Sequence, residues 1–232
     1  MTTDFGDCMS CKSFSKSAFS CFERGSVSKL INGNSVSIHY KKGQEIYNEG
    51  ALAKGVFCIQ QGKAKVYKKC PDRNMTIGLA GNSDLLGYHA LFNSGHYKNS
   101  AACLEDSHIC FIPKKTFLNL MASNPDMFHY VMRHSSQENN RLSDMVRDLK
   151  CKNMLSRVAR SLVTVSEKYG FDNAHCLNVT LTRKDIAELS GTTTASAIRI
   201  LNDLKKEKVI GFHNKRIRIQ DVNKLMRYNH AN

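Results

Sequence analysis

Between residues 36 and 115 apolar and polar positions alternate over short runs. "SVSIHY" sets Val36, Ile38 and Tyr40 on one side, and "GVFCIQQGKAKVY" places two apolar runs either side of Gly62. "MTIGLAG" and "SHICFIP" supply further runs of the same kind. A period of two marks strands, and the glycines at 43, 50, 55, 62, 81 and 87 interrupt them as tight turns require. This stretch predicts a closed all-β sandwich or barrel.

From about Pro125 the period changes. Val131, Ser135, Glu138, Leu142, Met145 and Leu149 fall at alternating spacings of four and three, with no Gly or Pro before Gly170. That pattern predicts a long helix whose seam, carried by Val131, Leu142, Met145 and Leu149, suits pairing with a second copy of the chain. The other reading is a helix packed on its own domain, and polar Ser135 and Glu138 weaken the seam. A further helix is predicted over about 153–168, with Gly170 ending it.

The stretch "LTRKDIAELSGTTTASAIRILNDLKKEKVIGFHNKRIRIQ" predicts two short helices and a hairpin. Thr182 with Asp185 three residues on has the form of a capping box, so a helix starts at Arg183 with Ile186 and Leu189 inward. Gly191 provides the sharp turn, and a second helix starts near Thr193. Its buried stripe is Ala197, Ile200, Leu201 and Leu204; Ala195, Ile198, Arg199 and Asn202 lie on the opposite face. "VIGFHNKRIRI" reads as a small hairpin with a basic tip from His213 to Arg216. Helix, glycine turn, helix and basic wing is the arrangement that lays a second helix in a major groove, while Lys and Arg grip phosphates. Arg183, Thr193, Thr194, Ala195, Ile198, Arg199, Asn202, Lys215 and Arg216 are the candidate DNA-contacting residues. Arg199 suits guanine, and the apolar, outward Ile198 suits a thymine methyl. Plain helix packing is the competing reading.

Composition bounds the rest. The chain has 232 residues, room for two domains with a core each. No run of eighteen apolar residues and no basic-then-apolar leader occurs, so the sequence predicts a cytoplasmic protein with no membrane partner. Nine cysteines at irregular spacings do not form a secreted disulfide framework. The formal net charge is +14, and from Cys151 onward 15 Lys and Arg face 7 Asp and Glu, which favours a polyanionic partner over a merely basic surface. No nucleophile elbow, P-loop, HExxH or dinucleotide fingerprint is present, and no enzyme is expected.

With these pieces in order, the chain resembles the CRP/FNR family of bacterial transcription regulators. The likeness rests on "YKKGQEIYNEG", "GVFCIQQGKAKVY", "DLLGYHALF", "SAACLEDSHICFIP", the long helix and "LTRKDIAELSGTTTASAIRIL". It implies an α+β architecture: a cysteine-bearing segment at 1–25, a cyclic-nucleotide-binding-like β-roll (jelly roll) at 26–123, a long dimerisation helix at 124–150 and a winged helix-turn-helix at 151–232. It also implies a homodimer on a near-palindromic double-stranded DNA operator, with RNA polymerase as a further partner. Family members commonly expose Glu, then Ser or Gly, then Arg on the recognition helix. Here those positions read Ala195, Ile198 and Arg199, so only the guanine contact carries over.

The cAMP-binding branch holds its ligand with a Gly-Glu pair and an Arg-Ser or Arg-Thr pair. The matching stretches here read Gly87-Tyr88 and Asn99-Ser100, with Lys98 one position away, so no cAMP is expected. The oxygen-sensing FNR branch is closer. By that resemblance Cys110 is the internal cluster ligand and Cys8, Cys11 and Cys21 are the N-terminal ligands of a 4Fe–4S cluster, whose attack by oxygen disfavours the dimer. Nine residues separate Cys11 from Cys21, a longer spacing than the branch has, though a loop of that length still closes. Zinc on Cys8 and Cys11 with a third ligand, a haem, nitric-oxide or small-molecule signal in the β-roll, and no cofactor at all remain alternatives. Cys103 is a substitute ligand outside the branch pattern, and Cys58 reads as core.

Overall fold

The structure is a computed structural model that describes residues 35–230. Its strands run β1 Val36–Tyr40, β2 Glu45–Tyr47, β3 Gly55–Gln61, β4 Ala64–Lys68, β5 Met75–Ala80, β6 Leu85–Leu86, β7 Ser100–Cys103 and β8 Ser107–Pro113, with a 3-10 turn at Tyr88–Phe92. They form two four-stranded sheets, ordered β1-β8-β3-β6 and β2-β7-β4-β5. Alternation decides the faces. Phe57 and Phe111 are opposite one another in β3 and β8, their rings 5.2 Å apart, and Tyr97 lies 4.3 Å from Tyr47 in the same aromatic cluster. Gly62 has φ +129°, and a Cβ there would come within 2.1 Å of the Ser107 hydroxyl, so this turn requires glycine.

Helix α1, Lys114–Ser123, buries Phe117 and Leu120 completely. Asn124 then caps α2, Pro125–Cys151, by accepting the Met127 N–H at 2.9 Å, and Pro125 fits the first helical position, where no N–H partner is needed. Met127 and Val131 point into the β-roll core, at 0% and 3% exposure. This corrects the expected seam at Val131: the β-roll occupies that side of the helix. Glu138, the other weak seam position, accepts the Tyr88 hydroxyl at 2.7 Å. The exposed apolar positions are instead Phe128, Met132, Leu142, Val146 and Leu149.

The remaining elements are α3 Met154–Tyr169, α4 Arg183–Ser190, α5 Thr194–Lys206, β9 Ile210–His213, β10 Arg216–Ile219 and α6 Val222–His230. Asn153 caps α3, whose Val158, Ala159, Leu162 and Val165 are fully buried. The sequence reading lacked α1 and α6. The chain divides into two compact units, one holding the described residues up to Val66 with Ala80–Asn140, the other Tyr67–Leu79 with Arg141 onward. The division falls inside α2 because its first turns belong to the β-roll core. No helix among the described residues is long and apolar enough to cross a membrane.

Candidate nucleic-acid interface

Local chemistry fixes the two-helix motif. Thr182 Oγ1 accepts the Asp185 N–H at 3.1 Å, and Asp185 Oδ2 accepts the Thr182 N–H at 2.9 Å, a reciprocal capping box. Ile186 and Ala187 bury the inner side of α4. Gly191 adopts φ +61° and donates its N–H to the Ala187 carbonyl, which ends α4 in the left-handed conformation glycine tolerates. Thr193 caps the next helix, accepting the Ser196 N–H at 3.1 Å.

Helix α5 separates cleanly into two faces. Ala197, Ile200, Leu201 and Leu204 are buried, while Thr194, Ala195, Arg199 and Asn202 are exposed. Ile198 stands among the exposed set at 41%. An uncovered β-branched side chain beside a guanidinium is the surface that base edges can meet.

The wing is the hairpin β9–β10, with Arg216 opposite His213. Its two-residue turn, Asn214 and Lys215, has φ of 47° and 66°, both left-handed, the geometry that matches strand twist in tight hairpins. Lys215 is exposed at the tip. Arg216, an expected phosphate contact, has its Nη1 2.8 Å from Asp172 Oδ2 with its side chain still 40% exposed, a pairing that ties the wing to the loop after α3. That loop also joins the wing through the Leu177 N–H to the Ile217 carbonyl at 2.8 Å. Asp172 is held below the usual carboxylate range, first by the Cys176 backbone N–H and then by Arg216. The Arg183 guanidinium stacks 4.2 Å above the Phe212 ring at the base of the wing, and burial draws its pKa down. Exposed Arg218 is a cation of the wing that the sequence reading missed; its alternation with buried Ile217 was the available signal.

The sensing positions are less complete. Cys8, Cys11 and Cys21 lie outside the described residues. Cys110 is on β8 at 5% exposure, directly opposite Cys58 of β3. Among the described residues no group of three or more His, Cys, Asp or Glu is arranged to hold a metal ion. The positions that would serve a cyclic nucleotide have other partners: Asn99 accepts the Tyr47 hydroxyl at 3.1 Å, Ser100 Oγ accepts the Glu49 N–H at 2.9 Å, and the Tyr88 hydroxyl meets Glu138. Burial pushes the Tyr97 phenol up to about 12, and its hydroxyl donates to the Gly55 carbonyl at 2.8 Å.

Comparison with known proteins follows the same division. Residues 37–124 match the cyclic nucleotide-binding domain family, and residues 156–228 match the Crp-like helix-turn-helix domain family. The fumarate and nitrate reduction regulatory protein of Salmonella typhimurium is 31% identical over 191 residues, covering 80% of this chain and 75% of that protein. The CRP-like cAMP-activated global transcriptional regulator of Mycobacterium tuberculosis is 24% identical over 193 residues, covering 82% of this chain and 86% of that one. In fold, FixK2 from Bradyrhizobium japonicum superposes with a TM-score of 0.75 at 20% identity, covering 85% of this chain and 98% of its own.

The Asp172–Arg216 tether has a defined pH dependence. The folded pKa lies below the unfolded one, so its stabilisation is complete above the unfolded value of about 3.9 and fades as pH falls through the folded value. A carbon-13 NMR titration should give Asp172 a midpoint below the ordinary value. Arg216→Gln should move that midpoint upward but, since the Cys176 N–H remains, not all the way.

Proposed function

The chain belongs to the CRP/FNR family of DNA-binding transcription regulators, and we propose that it acts as a homodimer on a near-palindromic duplex, gripping DNA according to oxygen or redox state through a 4Fe–4S cluster on Cys8, Cys11, Cys21 and Cys110. The observation that carries the DNA reading is the exposed face of α5, where Ile198 and Arg199 stand uncovered on a helix held by caps at its start and a packed stripe behind.

Arg199 reads guanine by two parallel donors, Ile198 meets a thymine methyl, and Asn202 lies a turn further on. Thr193, Thr194 and Ala195 bring the start of α5 against the backbone, where N–H groups and hydroxyls meet phosphate. Lys215 reaches phosphate from the wing tip. Arg183 and Arg216 orient the wing through Phe212 and Asp172. Two-fold symmetry sets the two α5 helices about 34 Å apart along the duplex, one turn of DNA. RNA polymerase is the further partner expected of such a regulator.

Dimerisation runs along α2. Phe128, Met132, Ser135, Asn139, Leu142, Val146 and Leu149 recur at alternating spacings of four and three, the period of a two-helix seam. This keeps Leu142 and Leu149 of the sequence-based seam; Val131 is taken up by the β-roll, and half-buried Met145 yields its place to Val146, which is 68% exposed.

For the signal, the residues favour a thiol-ligated group over a nucleotide. Where a cyclic phosphate needs a fixed cation the chain has Asn99, and where the ribose needs a carboxylate it has Tyr88. Of the four proposed ligands, Cys110 alone lies among the described residues, so a cluster there would draw its other ligands from the segment bearing Cys8, Cys11 and Cys21. Such a cluster supplies oxygen-sensitive iron and sulfide chemistry.

Arg199→Ala should cost about 1–3 kcal/mol at one guanine per half-site, whereas Lys215→Ala should weaken all duplexes alike and flatten the salt slope by about one, as titrations across substituted operators would read. Equal losses on every duplex from Arg199→Ala would remove it from the base-reading face. Val146→Asp should yield monomers by sedimentation with an unchanged circular dichroism spectrum, because like charges facing across a two-fold cost several kcal/mol. Protein supplied anaerobically with iron and sulfide should be brown, carry both elements in near-equal amounts, and bleach in air. A colourless, metal-free protein that still binds its duplex tightly would move the signal into the β-roll.

A further inference from the structure

The strand register puts two thiols face to face. Cys58 of β3 lies directly opposite Cys110 of β8, at 6% and 5% exposure. The backbone settles which kind of pair this is. Ile59 donates its N–H to the Asp84 carbonyl at 3.1 Å and accepts the Ser83 N–H at 2.7 Å, so its polar groups face the β6 side. One residue earlier the strand's polar groups face the other way, and Cys58 and Cys110 form a hydrogen-bonded pair across the ladder. Such pairs have Cα atoms about 5.5 Å apart, inside the range of about 4.4–6.8 Å that a disulfide spans, and Cβ atoms on one face about 4.5–5.5 Å apart, so closing the bond draws the two Cβ atoms together to about 4 Å and strains the ladder locally. Phe57 and Phe111 fill the aromatic interior, so the thiols point to the opposite face of the sheet.

We propose that Cys58 and Cys110 are an oxidation site: a cross-strand thiol pair that closes to a disulfide when the protein meets a hydroperoxide. One thiolate attacks the outer peroxide oxygen; the O–O bond breaks, and the sulfur becomes a sulfenic acid as the other oxygen leaves and is protonated. The second thiolate attacks that sulfur, the S–S bond forms, the S–O bond breaks and water departs. The pair loses two electrons, and the peroxide is reduced to water and water or an alcohol. The product locks β3 to β8 and withdraws Cys110 from metal binding. The inference stands independently of the cluster, since it needs only the sheet and the two sulfurs.

The test uses the full chain, reduced and iron-free. One portion receives hydrogen peroxide and the other none. Both are alkylated in denaturant, digested and mapped by mass spectrometry. The expected result is that the Cys58 and Cys110 peptides leave the alkylated pool together, appear as one linked species lighter by two hydrogen atoms, and return after dithiothreitol. In Cys58→Ser the link must be absent. Full alkylation of both cysteines after peroxide, or a disulfide joining Cys110 to any other cysteine, would overturn the proposal. Because this mapping is done without iron, its failure is separate from a failure of the bleaching experiment.

Discussion

A helix turns by about 100° per residue, so burying one pair of side chains fixes the direction of every other. In α2 that pair is Met127 and Val131, sunk into the β-roll core at 0% and 3% exposure. Once they are committed, Tyr130, His134 and Glu138 face the same domain: the Tyr88 hydroxyl lies 3.0 Å from His134 Nδ1 and donates to Glu138. The seam of Phe128, Met132, Leu142, Val146 and Leu149 is then roughly a quarter-turn around the helix. Two polar residues, Ser135 and Asn139, interrupt it midway. Polar groups inside such a seam cost stability but restrict register, so in the proposed dimer they would bias the two copies toward one alignment.

The same geometry explains where sequence reading succeeded. Spacing placed Ser135, Leu142 and Leu149 on one line, and the proposed seam keeps all three. It chose Val131, Glu138 and Met145 over Met132, Asn139 and Val146, each displaced by one residue. Periodicity could not separate them, since Val131 beside Met132 and Met145 beside Val146 offer apolar residues to either phase. Only the β-roll's claim on Val131 decides. The capping box at Thr182 and the turn at Gly191 were legible because their partners lie within three or four residues. The tether of Arg216 to Asp172 joins residues 44 positions apart, and nothing local announces it. Cys58 was legible as core, but its thiol neighbour on β8 emerges only from the pairing of two strands.

The α5 surface divides affinity from selectivity. Its buried side and Thr193 cap hold the helix in one orientation, and the turn at Asn214 and Lys215 presents a cation whose attraction to phosphate is indifferent to sequence. In the proposed docking, what remains to discriminate bases is short: Ile198, Arg199 and Asn202. Ala195 offers no acceptor for a cytosine amino group, so on the proposed docking the operator would be read more by guanine and thymine in each half-site. The wing tether matters here as well. Arg216 pairs with Asp172 at 2.8 Å, so it helps to place the wing whatever else its exposed part meets.

A signal can alter dimerisation only through contacts that differ in energy between two states. Several contacts of the β-roll with α2 are of the kind that could differ in this way. Met127 and Val131 lie in the core, Tyr88 reaches Glu138, and His89 sits 3.3 Å from Ser135 and 3.2 Å from Glu138. Burial lowers the His89 pKa while Glu138 opposes the shift, so this link gains strength as the imidazole takes a proton. Helix α1 packs on β3 and β8, the strands that carry Cys58 and Cys110, and leads through Asn124 into α2. Those sulfurs lie in the sheet that seats α1, and α1 leads directly into the first turns of α2. Because Met127 and Val131 set the phase of the whole helix, a small rotation there would displace the residues of the proposed seam together.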